Sequence, residues 1–180
     1  MDIRLAENCG FCYGVKRAVK MAEEAATLDG ITKTLGPIIH NPQVVGKLED
    51  RGISVAESLD DFTTGNVIIR SHGVGSATYV REEPKVTHIV DATCPHVKKA
   101  QRDAKEVVDA GMQLVILGEH HHPEVKSINL WANEKGIIIE SEEEAESIQF
   151  VEKMGVVVQT TFSQYKFLSI IKTLETKTNE

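Results

Sequence analysis

The sequence predicts an α/β protein made of two small αβ modules with mostly parallel sheets. Three observations carry that prediction. Short β-branched runs alternate with segments of helical period along the whole chain, as in αβ units on a parallel sheet. No low-complexity linker interrupts them, and one short signature occurs twice. Gly36-Pro37-Ile38-Ile39-His40-Asn41-Pro42-Gln43-Val44 and Gly118-Glu119-His120-His121-His122-Pro123-Glu124-Val125 both read G-x-x-x-H, then Pro, an acid or amide, and Val. The repeat places a first module at 1–95 and a second at 96–180, with the boundary near Cys94.

The elements follow in order. Strands are expected at 3–5, 32–35, 66–70, 86–90, 113–117, 136–139 and 155–159, each a short run rich in β-branched residues. Val15, Ala18, Val19, Ala22 and Ala26 recur at helical spacing, as do Val97, Ala100, Ala104, Val107 and Val108. Both sets fit helices covering a sheet. Further helices are expected to open at Pro42, to run from Pro123 to about Asn133, and to run from Ser163 to near Thr178, fraying at the polar end.

Length and composition bound the function. At roughly 100–200 residues per domain, 180 residues support one ordinary domain or two small ones, and 41% apolar content supplies a core. Lys and Arg number 20 against 27 Asp and Glu, a net charge of −7, without basic runs. That balance argues against a nucleic-acid partner, which needs clustered cations. The N-terminus lacks a signal-like apolar stretch, and no apolar run approaches about 18 residues. A soluble cytoplasmic protein without a membrane partner is expected. Three cysteines in a reducing compartment point to metal, cluster or redox chemistry rather than disulfides.

Position sharpens this. In parallel α/β sheets ligands bind outside the carboxyl ends of the strands. Six reactive stretches fall after expected strands: 9–14, His40, Ser71-His72-Gly73, Thr93-Cys94-Pro95, His122-Pro123-Glu124 and Thr160-Thr161. If the strands are parallel, these stretches share a rim. Pro42, Pro95 and Pro123 each sit at or near a helix start, where proline costs no hydrogen bond and the free amides favour an anion. Flanking histidines add donors, so the pattern describes a phosphate or diphosphate pocket.

Cys9-Gly10-Phe11-Cys12 has C-x-x-C spacing ahead of a helix start carrying Lys16 and Arg17, which stabilise a thiolate. Cys9, Cys12 and Cys94 suit an iron–sulfur cluster with one open iron, or a zinc ion completed by a histidine. A C-x-x-C pair also suits a thioredoxin-like dithiol. A non-catalytic zinc- or phosphate-binding module is the alternative to an enzyme at this point.

Gly10-Phe11-Cys12-Tyr13-Gly14-Val15-Lys16-Arg17-Ala18, Ile39-His40-Asn41-Pro42-Gln43-Val44-Val45, Ser71-His72-Gly73-Val74, Asp91-Ala92-Thr93-Cys94-Pro95, His122-Pro123-Glu124-Val125 and Gln159-Thr160-Thr161 occur in this order. In these six motifs the chain strongly resembles the 4-hydroxy-3-methylbut-2-enyl diphosphate reductase (IspH/LytB) family of the non-mevalonate, or methylerythritol phosphate, isoprenoid pathway. The resemblance implies a three-module trefoil around a [4Fe–4S] cluster, with one cysteine ligand from each module. It implies Cys12 and Cys94 as metal ligands and His40, His72 and His122 as contacts to the diphosphate of an allylic substrate. Glu124 would deliver protons and Thr160 would orient substrate and water. The implied reaction is an iron–sulfur-dependent reductive dehydroxylation to isopentenyl and dimethylallyl diphosphates, with electrons from an external donor such as ferredoxin or flavodoxin.

Two departures shape the expectations. The family continues into a third module bearing a third cysteine and a Ser-x-Asn motif, which are not among these 180 residues. The chain is therefore expected to hold the cluster poorly alone, and to associate with the missing module or with itself. Cys9 matches no family ligand and is expected to be a bystander. Family members usually carry a glycine soon after His-Pro-Glu-Val, whereas Lys126-Ser127-Ile128-Asn129-Leu130-Trp131 continues here, and His120 and His121 read as solvated loop residues. Glu124 has a second reading, as a carboxylate stabilising the first turn of its helix.

Overall fold

The computed structural model describes residues 2–7, 9–62, 64–80 and 86–179. Two compact units result, the first comprising Met1–Ser71 and Lys85–Cys94, the second His72–Pro84 and Pro95–Glu180. The chain thus leaves the first unit after Ser71 and returns to it for one strand. The reason lies in side chains of the second unit that bond 72–79. The Trp131 indole donates to Val74 O at 2.9 Å and the Ser127 hydroxyl to His72 O at 2.8 Å.

The first unit carries a parallel sheet in the order β2-β1-β3-β4, from β1 (Thr32–Leu35), β2 (Ile53–Ala56), β3 (Gly65–Ile69) and β4 (Val86–Asp91). β3 lies between two partners and is buried at every position, as an apolar run in a parallel sheet should be. Helix α1 (Tyr13–Ala25) presents Ala18, Ala22 and Ala25 at a helical repeat, and α2 (Pro42–Glu49) adds Leu48. These pack with Ile38, Ile39, Ile53, Ile68 and Ala92 in one core. The short helix α3 (Ala77–Val80) follows β3 and belongs to the second unit.

The second unit carries a parallel sheet in the order β6-β5-β7, from β5 (Gln113–Leu117), β6 (Ile137–Ile139) and β7 (Met154–Val158). Central β5 alternates between two cores. Leu114 and Ile116 join Ala100 and Ala104 of α4 (Pro95–Asp109) and Val125 and Ile128 of α5 (Pro123–Trp131). Val115 and Leu117 join Ala145 of α6 (Glu142–Ser147) and Ile170 and Leu174 of α7 (Gln164–Glu175). Helices thus cover both faces of this sheet.

Six of the seven expected strands form, within a residue of the expected ends. The exception is 3–5, which is neither strand nor helix and leaves Ile3 77% and Leu5 84% exposed. Two apolar side chains flanked by Asp2 and Arg4 bury too little to offset the ordering of a strand that has no neighbour to pair with. The stretch 9–14 therefore does not follow a strand. The reverse miss is β2, whose signal is Gly52 at φ +86° after α2, followed by Ile53 and Val55.

Candidate functional site

Each unit presents chemistry at the carboxyl ends of its own parallel strands. The five stretches that follow strands are therefore divided between two sheets rather than sharing one rim, and 9–14 follows none.

In the first unit, Cys12 is the N-cap of α1, with φ −64° and ψ 167°, and its side chain caps no amide. Its exposed thiol is left for other chemistry beside a helix start. Cys94 follows β4 and is half-buried. Its amide donates to Ser71 O at 2.9 Å, which ties the ends of β3 and β4 together. The preceding residue is fixed twice: Thr93 N–H donates to Asp91 Oδ1 at 3.0 Å, and Arg17 of α1 donates to Thr93 O at 3.1 Å. The same helix makes room for the thiol, because a Cβ on Gly14 would stand 2.6 Å from Cys94 Sγ. Thr93 Oγ1 is buried with no hydrogen-bond partner among the described residues. Cys9 is exposed, and His40 is exposed one residue before Asn41. Asn41 is the N-cap of α2, its Oδ1 accepting from Val44 N at 3.0 Å, and Pro42 takes the first helical position as expected.

In the second unit, His122 is itself the N-cap of α5. Its Nδ1 accepts from Glu124 N at 3.1 Å, so a neutral ring carries its proton on Nε2. His72 stands edge-on to this ring, with centroids 5.4 Å apart and planes at 85°. Although the two G-x-x-x-H signatures match in sequence, the histidine caps the helix in one and precedes the cap in the other.

Glu124 is 2% exposed. Its Oε1 accepts from Thr160 N at 2.6 Å and its Oε2 from the Thr160 hydroxyl at 2.8 Å. The carboxylate is thus directed to the loop after β7, not to the first turn of its own helix. Gln159 braces that loop: its Oε1 accepts from Glu119 N at 2.9 Å and its Nε2 donates to Thr161 Oγ1 at 2.9 Å. His121 is exposed as expected, whereas His120 is half-buried, its Nε2 3.0 Å from Glu144 Oε1. Sequence reasoning missed the supports beneath these groups: Gly14, Gln101, Ser127 and Trp131. The available signal was the spacing of Ser127, Leu130 and Trp131 at i, i+3 and i+4, which puts them on one face of α5.

These features define a parallel α/β protein whose strand-end loops carry thiol, imidazole and carboxylate groups on short, braced segments. The family profile described as LytB protein matches residues 3–180, and the chain belongs to that family. A 4-hydroxy-3-methylbut-2-enyl diphosphate reductase of Geobacter metallireducens is 48% identical over 163 residues, covering 91% of this chain and 58% of the relative. The reductase of the same name in Clostridioides difficile is 40% identical over 184 residues, covering all of this chain and 66% of the relative. The solved structure of the E-1-hydroxy-2-methyl-but-2-enyl-4-diphosphate reductase from Plasmodium falciparum superposes with a TM-score of 0.86 at 28% identity. It covers 93% of this chain and 54% of that one. A solved (E)-4-hydroxy-3-methyl-but-2-enyl diphosphate reductase, described as the terminal enzyme of the non-mevalonate pathway, gives 0.85 at 37% identity, covering 99% and 65%. The chain spans 58–66% of the length of such curated relatives. The expected α/β fold with parallel sheets is borne out.

Proposed function

We propose that this chain is part of an iron–sulfur-dependent 4-hydroxy-3-methylbut-2-enyl diphosphate reductase, acting in the cytoplasm with an external donor such as ferredoxin or flavodoxin. The family match over 3–180 carries the proposal. The reaction adds two electrons and two protons to an allylic alcohol, breaks its C–O bond and releases water, leaving isopentenyl or dimethylallyl diphosphate.

Cys12 and Cys94 would hold the [4Fe–4S] group. Their chemistry fits it: one thiol is not spent on capping, the other is given room by Gly14, and the unpartnered Thr93 hydroxyl adjoins the second. When bound, the group supplies electrons and Lewis acidity that side chains lack. The remaining work belongs to the chain. His40, His72 and His122 bind the diphosphate, with the Nε2–H of His122 as donor. The Thr160 hydroxyl donates to Glu124 Oε2 at 2.8 Å; once Oε2 takes up a proton that bond reverses, Oε2 donating to Thr160 Oγ1 while the hydroxyl hydrogen turns to the departing oxygen. Thr160 thereby orients substrate and water.

Glu124→Gln tests this. The amide keeps the contact to Thr160 N but holds no transferable proton. In the reductase that contains this chain, turnover should fall about 10²–10⁴-fold with substrate binding retained. Full turnover in this variant would refute the assignment. Iron and sulfide counting after anaerobic reconstitution provides a second check: Cys12→Ser and Cys94→Ser should lose iron and Cys9→Ser should not. Zinc bound through Cys9 would favour the metal-binding alternative.

A further inference from the structure

We propose that Ser127 is a positioning residue, whose hydroxyl, oriented by Gln101, holds His72 in register with His122. The proposal rests on the reading of these two histidines as diphosphate ligands.

Helix α5 connects the two rings. His122 caps its start, while Ser127, Leu130 and Trp131 lie along one face further on. That face holds the segment after β3 at several points. Trp131 Nε1 donates to Val74 O at 2.9 Å, the Tyr79 ring stands 6.0 Å from the Trp131 ring, and a Cβ on Gly75 would stand 2.9 Å from Leu130 Cβ. These contacts anchor 74–79. Ser127 acts closest to the imidazole, donating to the backbone carbonyl of His72 itself at 2.8 Å.

Ser127 is 1% exposed and Gln101 2%. The hydroxyl has a single hydrogen and two neighbouring carbonyls, His72 O and, at 2.9 Å, Glu124 O. Glu124 lies within α5, where an intrahelical amide four residues on serves its carbonyl. His72 O is the nearer of the two acceptors, at 2.8 Å. Gln101 Nε2, reaching from α4, donates to Ser127 Oγ at 3.2 Å and fixes the lone-pair side of the hydroxyl. Gln101 and Ser127 are buried and His72 is half-buried, so the link between Gln101 and Ser127 is closed to replacement by water. One helix therefore sets the His72–His122 separation from both ends.

The test uses the full chain with inorganic diphosphate as probe, measuring its affinity by calorimetry and the imidazole resonances of His72 and His122 by NMR. Ser127→Ala should move the His72 resonance, leave the Glu124 amide at the His122 cap in place, and weaken diphosphate binding about tenfold. Gln101→Met, which keeps the hydroxyl but not its orienting donor, should move the same resonance by less. It serves where Ser127→Ala fails to fold. A wild-type His72 resonance in whichever of these variants folds overturns the proposal, and so does unchanged diphosphate affinity in folded Ser127→Ala. Undiminished diphosphate binding in His72→Ala and His122→Ala instead overturns the diphosphate reading. The His72 resonance alone then decides the role of Ser127.

Discussion

Gly14 shows how one missing atom sets a reactive group. Its φ is not in the left-handed region, so backbone strain does not demand glycine there; only the approach of Cys94 Sγ does. Alanine would gain up to about 1 kcal/mol of helix propensity, which offsets the crowding. The obstructing atom ends a side chain with one rotatable bond, and it can turn away. Gly14→Ala should therefore melt within a few degrees of the parent, while Cys94 reacts faster with a disulfide reagent and reconstituted protein retains less iron. Unchanged labelling and iron content would show that the thiol does not depend on this space. At this scale the sequence exposed the candidate groups, because Cys12, Cys94, His122 and Glu124 stand in ordered motifs. It did not expose their supports. Ser127 and Gln101 are ordinary helix residues until the fold buries them 26 positions apart within hydrogen-bond reach.

Elements were legible where their period was unambiguous, as in α1 and α4, whose buried residues recur at helical spacing. The failures came from short elements. The run 3–5 has strand composition without a pairing partner, and β2 has four residues of which Ser54 is exposed. Helix α6 is six residues long and mostly acidic, and is absent from the expected elements. What organises it is an end effect. Ser141 accepts from Glu144 N at 3.3 Å, and Glu144 accepts from Glu140 N at 2.7 Å while facing His120. The Glu140 amide, opposed by partial burial and aided by His120, holds the Glu144 carboxyl below its ordinary value of 4.5. A depressed carboxyl contributes stability that is complete above the unfolded value and is lost as pH falls through the folded one. With the His120 and Glu144 side chains 40% and 39% exposed, their contact contributes less than about 1 kcal/mol. Glu144→Gln should accordingly lower the melting temperature slightly at pH 7, and the difference should fade as pH falls from 4.5 through the lower folded value. A difference that persisted at pH 3 would assign the effect to packing instead.

At the scale of the whole molecule, the path of the chain departs from what order along the sequence suggests. A cut after residue 95 treats everything before it as one module, yet His72, Val74 and Tyr79 are held by Ser127 and Trp131 and belong to the second unit. Periodicity reports which face of an element is apolar, not which unit a connecting segment joins. The two glycines and the turn after β3 gave no sign that Trp131, the single tryptophan, would bond Val74 O. The consequence is specific. Trp131→Phe keeps most of the apolar ring but removes the indole donor, leaving Val74 O without that bond. The cost is of the order of 1 kcal/mol, too little to unfold either core. Its effect should concentrate where the segment depends on the bond. Hydrogen exchange at residues 72–80 should accelerate severalfold, while β3 and β5, the buried strands of the two sheets, keep their protection. Equal acceleration in β3 and β5 would mean that the indole sustains the fold at large, and an unchanged 72–80 would mean that Ser127 and Leu130 suffice to hold it.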